Sequence, residues 1–276
     1  MGRKQDSERG GHNWREWLRY GSYSAASLLT LAGALFLFAR VDQYLSTNPK
    51  FALQAPAADG RTPGVRINGA AHVPSAKIVN VFAADFGRSI YLLPLAERRQ
   101  ALLQIGWVLD ASVSRLWPDR IEVDIVERKP VGFIQLPAAG SPELNSVALI
   151  DADGVILDPP ERGDFKLPAF TGIRRQQSQS MRRARVAAAL RLVSDAGAKA
   201  DQFSEIDVSD PDNVKAVMQA NGRVVTLQFG NRNFQGRLQN FLTNFEEIER
   251  RLPNAAAFDL RLDDRITALR EEEQGG

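Results

Sequence analysis

Tyr20–Ala39, YGSYSAASLLTLAGALFLFA, is a run of twenty residues without a charge, bounded by Arg19 and Arg40. Coiled as an α-helix at about 1.5 Å per residue it is about 30 Å long, the hydrocarbon thickness of a bilayer. The run predicts a membrane-crossing helix. Arg3, Lys4, Arg9, Arg15 and Arg19 precede it, whereas the first fifteen residues after it hold only Arg40 and Lys50. By the positive-inside rule the N-terminus lies in the cytoplasm and the rest of the chain across the membrane. Trp14, Trp17, Tyr20 and Tyr23 fall where amphipathic rings favour the headgroup layer. A cleaved signal would have a shorter apolar region with a small-x-small site beyond it. Ala32 and Ala34 have that spacing, but Leu35-Phe36-Leu37-Phe38 follows them, so an uncleaved anchor is expected. Ser22, Ala26, Thr30 and Ala34 recur every fourth residue, a small-residue face that a second membrane helix can approach closely.

The 276 residues carry a formal charge of +2, all of it contributed by the first nineteen; the remainder is balanced. Without a clustered basic face no nucleic-acid partner is expected. The chain has no cysteine, which excludes disulfides and thiolate metal sites and suits an oxidising compartment. About 230 residues beyond the membrane suffice for two small cores.

After a polar cytoplasmic tail (1–19) and the anchor (20–39) comes a linker and loop (40–64) ending in the Ala, Gly and Pro-rich Ala55–Gly64. Val65-Arg66-Ile67 then alternates into the turn pair Asn68-Gly69. Pro74-Ser75 offers a helix start, with Ile78, Phe82 and Phe86 on one face and Gly87 as a stop. A second helix starts near Pro94, its face Leu95, Leu102 and Ile105, and ends at Gly106. Ala111–Leu116 and Ile121–Ile125 read as strands around the turn Trp117-Pro118-Asp119. Strand, helix, helix, strand, strand in residues 65–130 describes a small α+β domain.

Two pieces of this block resemble a POTRA domain of the bacterial FtsQ/DivIB cell-division family. One is Ile67-Asn68-Gly69 through His72-Val73-Pro74. The other is Gly106-Trp107-Val108, Ala111-Ser112-Val113, Arg115-Leu116-Trp117-Pro118-Asp119 and Val126-Glu127-Arg128-Lys129-Pro130-Val131. The following residues, 131–270, extend the likeness. Val147–Asp151 runs through Ala152-Asp153-Gly154 into Val155-Ile156-Leu157, a hairpin signal, and Leu167-Pro168-Ala169-Phe170-Thr171-Gly172 follows. These strings resemble the start of the family's second, β domain. A helix is expected at Gln177–Gly197, with Arg182, Arg183, Arg185 and Arg191 on a solvated face. Strands are expected at Phe203–Val208, Val214–Gln219 and Arg223–Phe229, the last two joined at Asn221-Gly222. A second helix runs from Phe234 to Leu252, capped by Asn233 and packing through Leu238, Phe241, Leu242, Phe245 and Ile248. Phe258–Leu262 alternates as a final strand, continued through Asp263–Ile266, and "FDLRLDDRITAL" resembles the family's terminal strand. Glu271–Gly276 reads as a disordered tail. The fold class is thus α+β: one N-terminal transmembrane helix, a POTRA domain, and a larger mixed-sheet domain with two helices.

The residues offer no catalytic constellation. His12 and His72 lie on opposite sides of the expected membrane, and no nucleophile elbow, phosphate loop, dinucleotide fingerprint or zinc motif occurs. Asp151, Asp153 and Asp158 lack the remaining ligand steps of a calcium loop, since Val155 and Leu157 break the pattern. Adjacent carboxylates such as Asp263 and Asp264 point to opposite faces of a strand. No enzyme, cofactor, metal or small-molecule substrate is expected. Trp107 and Trp117 are expected in the core.

A terminal strand with no later partner offers backbone groups for strand addition. The resemblance implies that it receives a segment of an FtsB-like protein, within a complex with an FtsL-like bitopic coiled-coil protein. Leu260 and Leu262 would then share one face with Arg261 opposite, Asp264, Arg265 and Ile266 would extend the pairing, and Lys215 would meet an acidic partner residue. Other division proteins would dock through the POTRA block and the membrane helix. The resulting expectation is a single-pass inner-membrane scaffold of septation, enriched at the division site. Its rival is a POTRA-bearing accessory of polypeptide transport or outer-membrane assembly, which would need a following barrel of alternating strands, and the sequence ends without one.

Overall fold

The structure is a computed structural model describing residues 14–57, 61–138, 141–160 and 163–269. The expectations for residues 1–13 and 270–276, including Arg3, Lys4, Arg9 and the C-terminal tail, lie outside the described residues. The chain divides into two compact units, one of residues 1–66, 82–95 and 113–122, the other of residues 67–81, 96–112 and 123–276.

In the first unit α1 runs from Trp14 to Thr47, and its segment Tyr23–Thr47 is long and apolar enough to cross a membrane. The helix continues eight residues beyond Ala39, where a linker was expected. No Gly or Pro interrupts Arg40–Thr47, and the break comes where Pro49 forces Asn48 into extended backbone (φ −75°, ψ 125°). Asn48 then caps the 3-10 turn Pro49–Phe51, its side chain accepting from the Lys50 amide at 3.0 Å. Ser89 donates its hydroxyl to the Leu45 carbonyl at 2.6 Å. Arg115 reaches the carbonyls of Ile90, Tyr91 and Leu93 at 2.6, 3.1 and 2.9 Å.

Strands β1 (Val65–Asn68), β2 (Val108–Leu116) and β3 (Arg120–Glu127) form a sheet in the order β1-β3-β2. Helices α2 (Ser75–Asn80) and α3 (Leu95–Leu103) fall between β1 and β2, giving the expected strand-helix-helix-strand-strand sequence. The α2 helix is shorter than its apolar spacing suggested: turns replace it from Val81 to Gly87, although Ile78 and Phe82 are both buried.

The second unit holds a nine-stranded mixed sheet. Its strands are β4 (Pro130–Ala138), β5 (Ser141–Asp151), β6 (Ile156–Leu157), β7 (Ala169–Thr171), β8 (Phe203–Asp207), β9 (Val214–Ala220), β10 (Arg223–Gly230), β11 (Ala257–Asp259) and β12 (Thr267–Leu269). They lie in the order β12-β11-β10-β9-β8-β7-β4-β5-β6. Alternation sets the buried face: Val225, Leu227 and Phe229 of β10 and Ala216 and Met218 of β9 point into one core. Helices α4 (Gln179–Ala196) and α5 (Phe234–Arg251) close that core with Val186, Ala189 and Leu192, and with Leu238, Phe241 and Phe245. At Asn221-Gly222 both residues take positive φ (47° and 82°), the geometry a two-residue hairpin between right-twisted strands requires.

The C-terminal strand departs from expectation. Phe258 to Ile266 is not one strand. Strand β11 stops at Asp259, the chain turns through residues 262–264, and β12 returns antiparallel beside β11. The cause is local. The Asp259 carboxylate accepts the Arg261 amide at 2.9 Å, an Asx turn that takes Arg261 out of the ladder. Leu260 is buried, whereas Leu262 is 54% exposed, so the two do not share a face.

Candidate partner-binding edge

The outermost strand at the C-terminal side is β12, with β11 as its one neighbour among the described residues. Which of its backbone groups face outward follows from the ladder. Thr226 donates to the Ala256 carbonyl (2.8 Å) and Leu260 to the Gln228 carbonyl (2.9 Å). Strand amides alternate in direction, so Phe258 also faces β10, while Ala257 and Asp259 face β12. The register pairs Phe258 with Ala268, flanked by Ala257 with Leu269 and Asp259 with Thr267. Thr267 and Leu269 therefore bond β11, and Ala268 turns its N–H and C=O outward. Among the described residues no strand lies beside that face, and an outward N–H and C=O on an edge strand is the kind of group that strand addition uses.

Behind the edge, Arg237 of α5 is buried and sends Nε to Asp263 Oδ1 at 2.7 Å. Its other nitrogens donate to the carbonyls of Phe229 and Arg261. One guanidinium thus ties the helix, the end of β10 and the turn that leads into β12. Asn233 was expected to cap α5 with its side chain. It sits instead in left-handed backbone (φ 50°) with no capping bond, and its amide donates to Asp263 at 3.1 Å. These two donors, the Arg237 bond first, hold the Asp263 carboxyl below its ordinary value. The Asp259 carboxyl is likewise lowered, chiefly by a forked pairing with Arg261 (Nη2 to Oδ2, 2.7 Å). The sequence reading missed Arg237. Its signal was a cation at the spacing of the apolar α5 face, one position before Leu238 and three after Phe234.

Of the residues expected at this site, Arg261, Leu262, Asp264 and Arg265 are exposed on the turn before β12, Asp264 and Arg265 forming a pair at 3.4 Å. Ile266 is half-buried against the core. Leu260 lies inside it. Lys215 lies on β9, three strands inboard, 4.0 Å from Asp207.

The family model for the FtsQ-type POTRA domain matches residues 64–128, and that for the C-terminal part of cell division protein FtsQ/DivIB matches residues 142–261. The chain belongs to the FtsQ/DivIB family. It is similar to the cell division protein FtsQ of Koribacter versatilis, 32% identical over 208 residues, which are 73% of this chain and 58% of that protein. It is similar to the FtsQ of Novosphingobium aromaticivorans, 30% identical over 217 residues, 78% of this chain and 63% of that protein. The FtsQ of Zymomonas mobilis is 33% identical over 111 residues, 39% and 33% of the two chains. The chain thus spans less than two thirds of the length of each of these FtsQ relatives.

Other residues singled out in the sequence have structural work. His72 stacks on Trp107 (4.9 Å between centroids, 19° between planes), and its Nδ1 lies 2.8 Å from Glu127 Oε2. Trp107 is buried and donates to the Asp158 carbonyl at 2.8 Å, whereas Trp117 is half-exposed rather than in the core. Asp151 is occupied by its own hairpin: Oδ1 accepts the Asp153 and Val155 amides, and Oδ2 takes Arg128 at 2.7 Å. Arg182 and Arg185 are not simply solvated. They donate to the carbonyls of Gly154 and Gly172 at 2.8 and 2.7 Å and fasten α4 to its flanking loops. On α1, Ala26, Thr30 and Ala34 are exposed, and the Thr30 hydroxyl is bonded back to Ser27 O; the Ser22 side chain lies outside the described residues.

Proposed function

We propose that the chain is a non-catalytic scaffold of bacterial septation, anchored in the inner membrane by α1 with its N-terminus cytoplasmic, that recruits and regulates late division proteins and so helps control septal peptidoglycan synthesis. Its partners are FtsB-like and FtsL-like bitopic coiled-coil proteins, one of which adds a strand to β12. The carrying observation is the outward N–H and C=O of Ala268 on the edge strand. Membership of the FtsQ/DivIB family supports the division role over polypeptide transport. The POTRA block and the small-residue face of Ser22, Ala26, Thr30 and Ala34 are further contacts for division proteins.

The test is Ala268→Pro in the full chain. Proline removes the outward donor and breaks no bond to β11, a place where an edge strand tolerates it. Affinity for a purified FtsB-like ectodomain should fall at least tenfold, on the order of 1.4 kcal/mol, with the melting temperature unchanged. Undiminished affinity in a folded variant rejects β12 as the docking strand. A fluorescent fusion separates the two cellular roles: a midcell band in dividing cells belongs to septation, an even envelope signal to transport.

A further inference from the structure

Among the described residues of the first unit, Leu92 and Trp117 are the most exposed large apolar side chains outside α1, each 50% exposed. Both stand at the end of that helix. The Phe51 ring lies edge-on to Tyr44 at 5.7 Å and to Trp117 at 5.4 Å, a ladder leading from the helix to the turn after β2. On its other flank the 3-10 turn Ile90–Leu92 packs beside α1, and the Ser89–Leu45 hydrogen bond pins it there. Arg115 holds that turn from behind through three carbonyls. An aromatic and apolar face is therefore braced against a helix that is itself built to cross a bilayer.

The position along the helix names what covers it. Tyr44 is five residues past the uncharged run, about 7.5 Å at about 1.5 Å per residue. The headgroup layer outside the hydrocarbon core is about 5–8 Å deep on each side. Tyr and Trp rings favour that layer because it wets one end of the ring and buries the other. We propose that Tyr44, Phe51, Leu92 and Trp117 form a lipid-facing patch that seats this unit in the headgroup layer of the membrane that α1 crosses. The bilayer surface is then a partner of the extracytoplasmic part of the chain, beyond its role as solvent for the anchor. The proposal rests on α1 spanning the membrane.

The full chain is reconstituted in vesicles of phosphatidylcholine and phosphatidylglycerol carrying lipids brominated near the top of the acyl chain. The Trp117 contribution is the emission difference between the native chain and Trp117→Phe. A label on Leu92→Cys, unambiguous because the chain has no other cysteine, reports the other flank without disturbing a buried residue. The difference emission should be quenched by the shallow bromines, and the label should shift to the blue on reconstitution. If neither signal changes while Trp14 and Trp17 emission is quenched, the helix crosses but its neighbouring face stands in water, and the lipid patch is overturned. If alkaline carbonate strips the chain from the vesicles, the anchor itself fails and the patch falls with it.

Discussion

Arg237 grips Asp263 from inside the protein: their Nε–Oδ1 distance is 2.7 Å, with 3% of the arginine side chain exposed against 53% of the aspartate's. The cation is desolvated and the anion is wet, so the pair is stabilised less by mutual attraction than by what else the guanidinium serves. Its two carbonyl acceptors, Phe229 and Arg261, lie on the adjoining ends of β10 and the segment after β11, where the ladder's last bond runs from Leu260 to the Gln228 carbonyl. Arg237→Met keeps the bulk and removes all three bonds. It should cost about 2 kcal/mol in a urea titration of the full chain in detergent, the scale of lost charge-assisted hydrogen bonds to buried groups. It should also weaken partner binding, because the turn into β12 loses its tie. Arg237→Lys should restore little of either, since one ammonium cannot span the fork.

Glu127 gives a pH dependence. Burial opposes its charge, but backbone amides of Val73, His72 and Ala71 and the His72 ring bond it, and together they bring its carboxyl below the usual 4.5. Asp259 is lowered from 3.8 mainly by Arg261. A carboxyl lowered by folding adds stability above its unfolded value, and that stability is lost as pH falls through the lowered one. The melting temperature should therefore be insensitive to these groups near neutrality and decline once pH drops below 4.5 and then 3.8. Glu127→Gln should lower stability at neutral pH and make the acid decline shallower. An unchanged acid slope would assign the dependence to other groups.

Leu260 and Leu262 separate two versions of the C-terminus. In an unbroken alternating strand both would face one way and cost alike on truncation. Here Leu260→Ala should cost about 2–4 kcal/mol as a buried leucine, and Leu262→Ala under about 0.5 kcal/mol as an exposed one, measured by chemical denaturation. The pair also marks how far the sequence was legible. Elements specified by their own residues were readable: α5 by its apolar face, and β9 and β10 by the Asn221-Gly222 turn that joins them. The Asp259–Arg261 turn was hidden because Phe258, Leu260 and Leu262 keep a strand's period while the backbone leaves the ladder. The full length of β5 was hidden too, since its first residues adjoin a Pro, Ala and Gly-rich stretch that punctuates like a loop. Arg237 was illegible as a site residue because two of its three acceptors are carbonyls, which every residue carries, and the third, Asp263, is brought to it by a turn the sequence did not reveal.

Lys215 tests whether binding is confined to the edge. It sits three strands from β12, about 14 Å at about 4.8 Å per strand, and an added strand lies one spacing farther still. Lys215→Ala should leave partner affinity within about twofold, less than 0.5 kcal/mol, where Ala268→Pro does not. A large loss at Lys215 would mean that the partner also runs across the open face of the sheet.

Gly172 and Gly222 both hold positive φ, 83° and 82°, but only one is enclosed. A Cβ on Gly172 would lie 2.3 Å from the Ser209 nitrogen and 2.4 Å from its Cα, whereas one on Gly222 would meet nothing within 4 Å. The Gly172 carbonyl also accepts from Arg185 and Gln177, so the segment cannot shift without releasing α4. Gly222→Ala should cost about 1 kcal/mol, the backbone strain alone. Gly172→Ala adds a collision with main chain that no rotamer relieves, and should cost more than about 2 kcal/mol. Melting both variants in parallel isolates the packing contribution at the Leu167–Gly172 string. Equal losses would show that the loop at Ser209 yields.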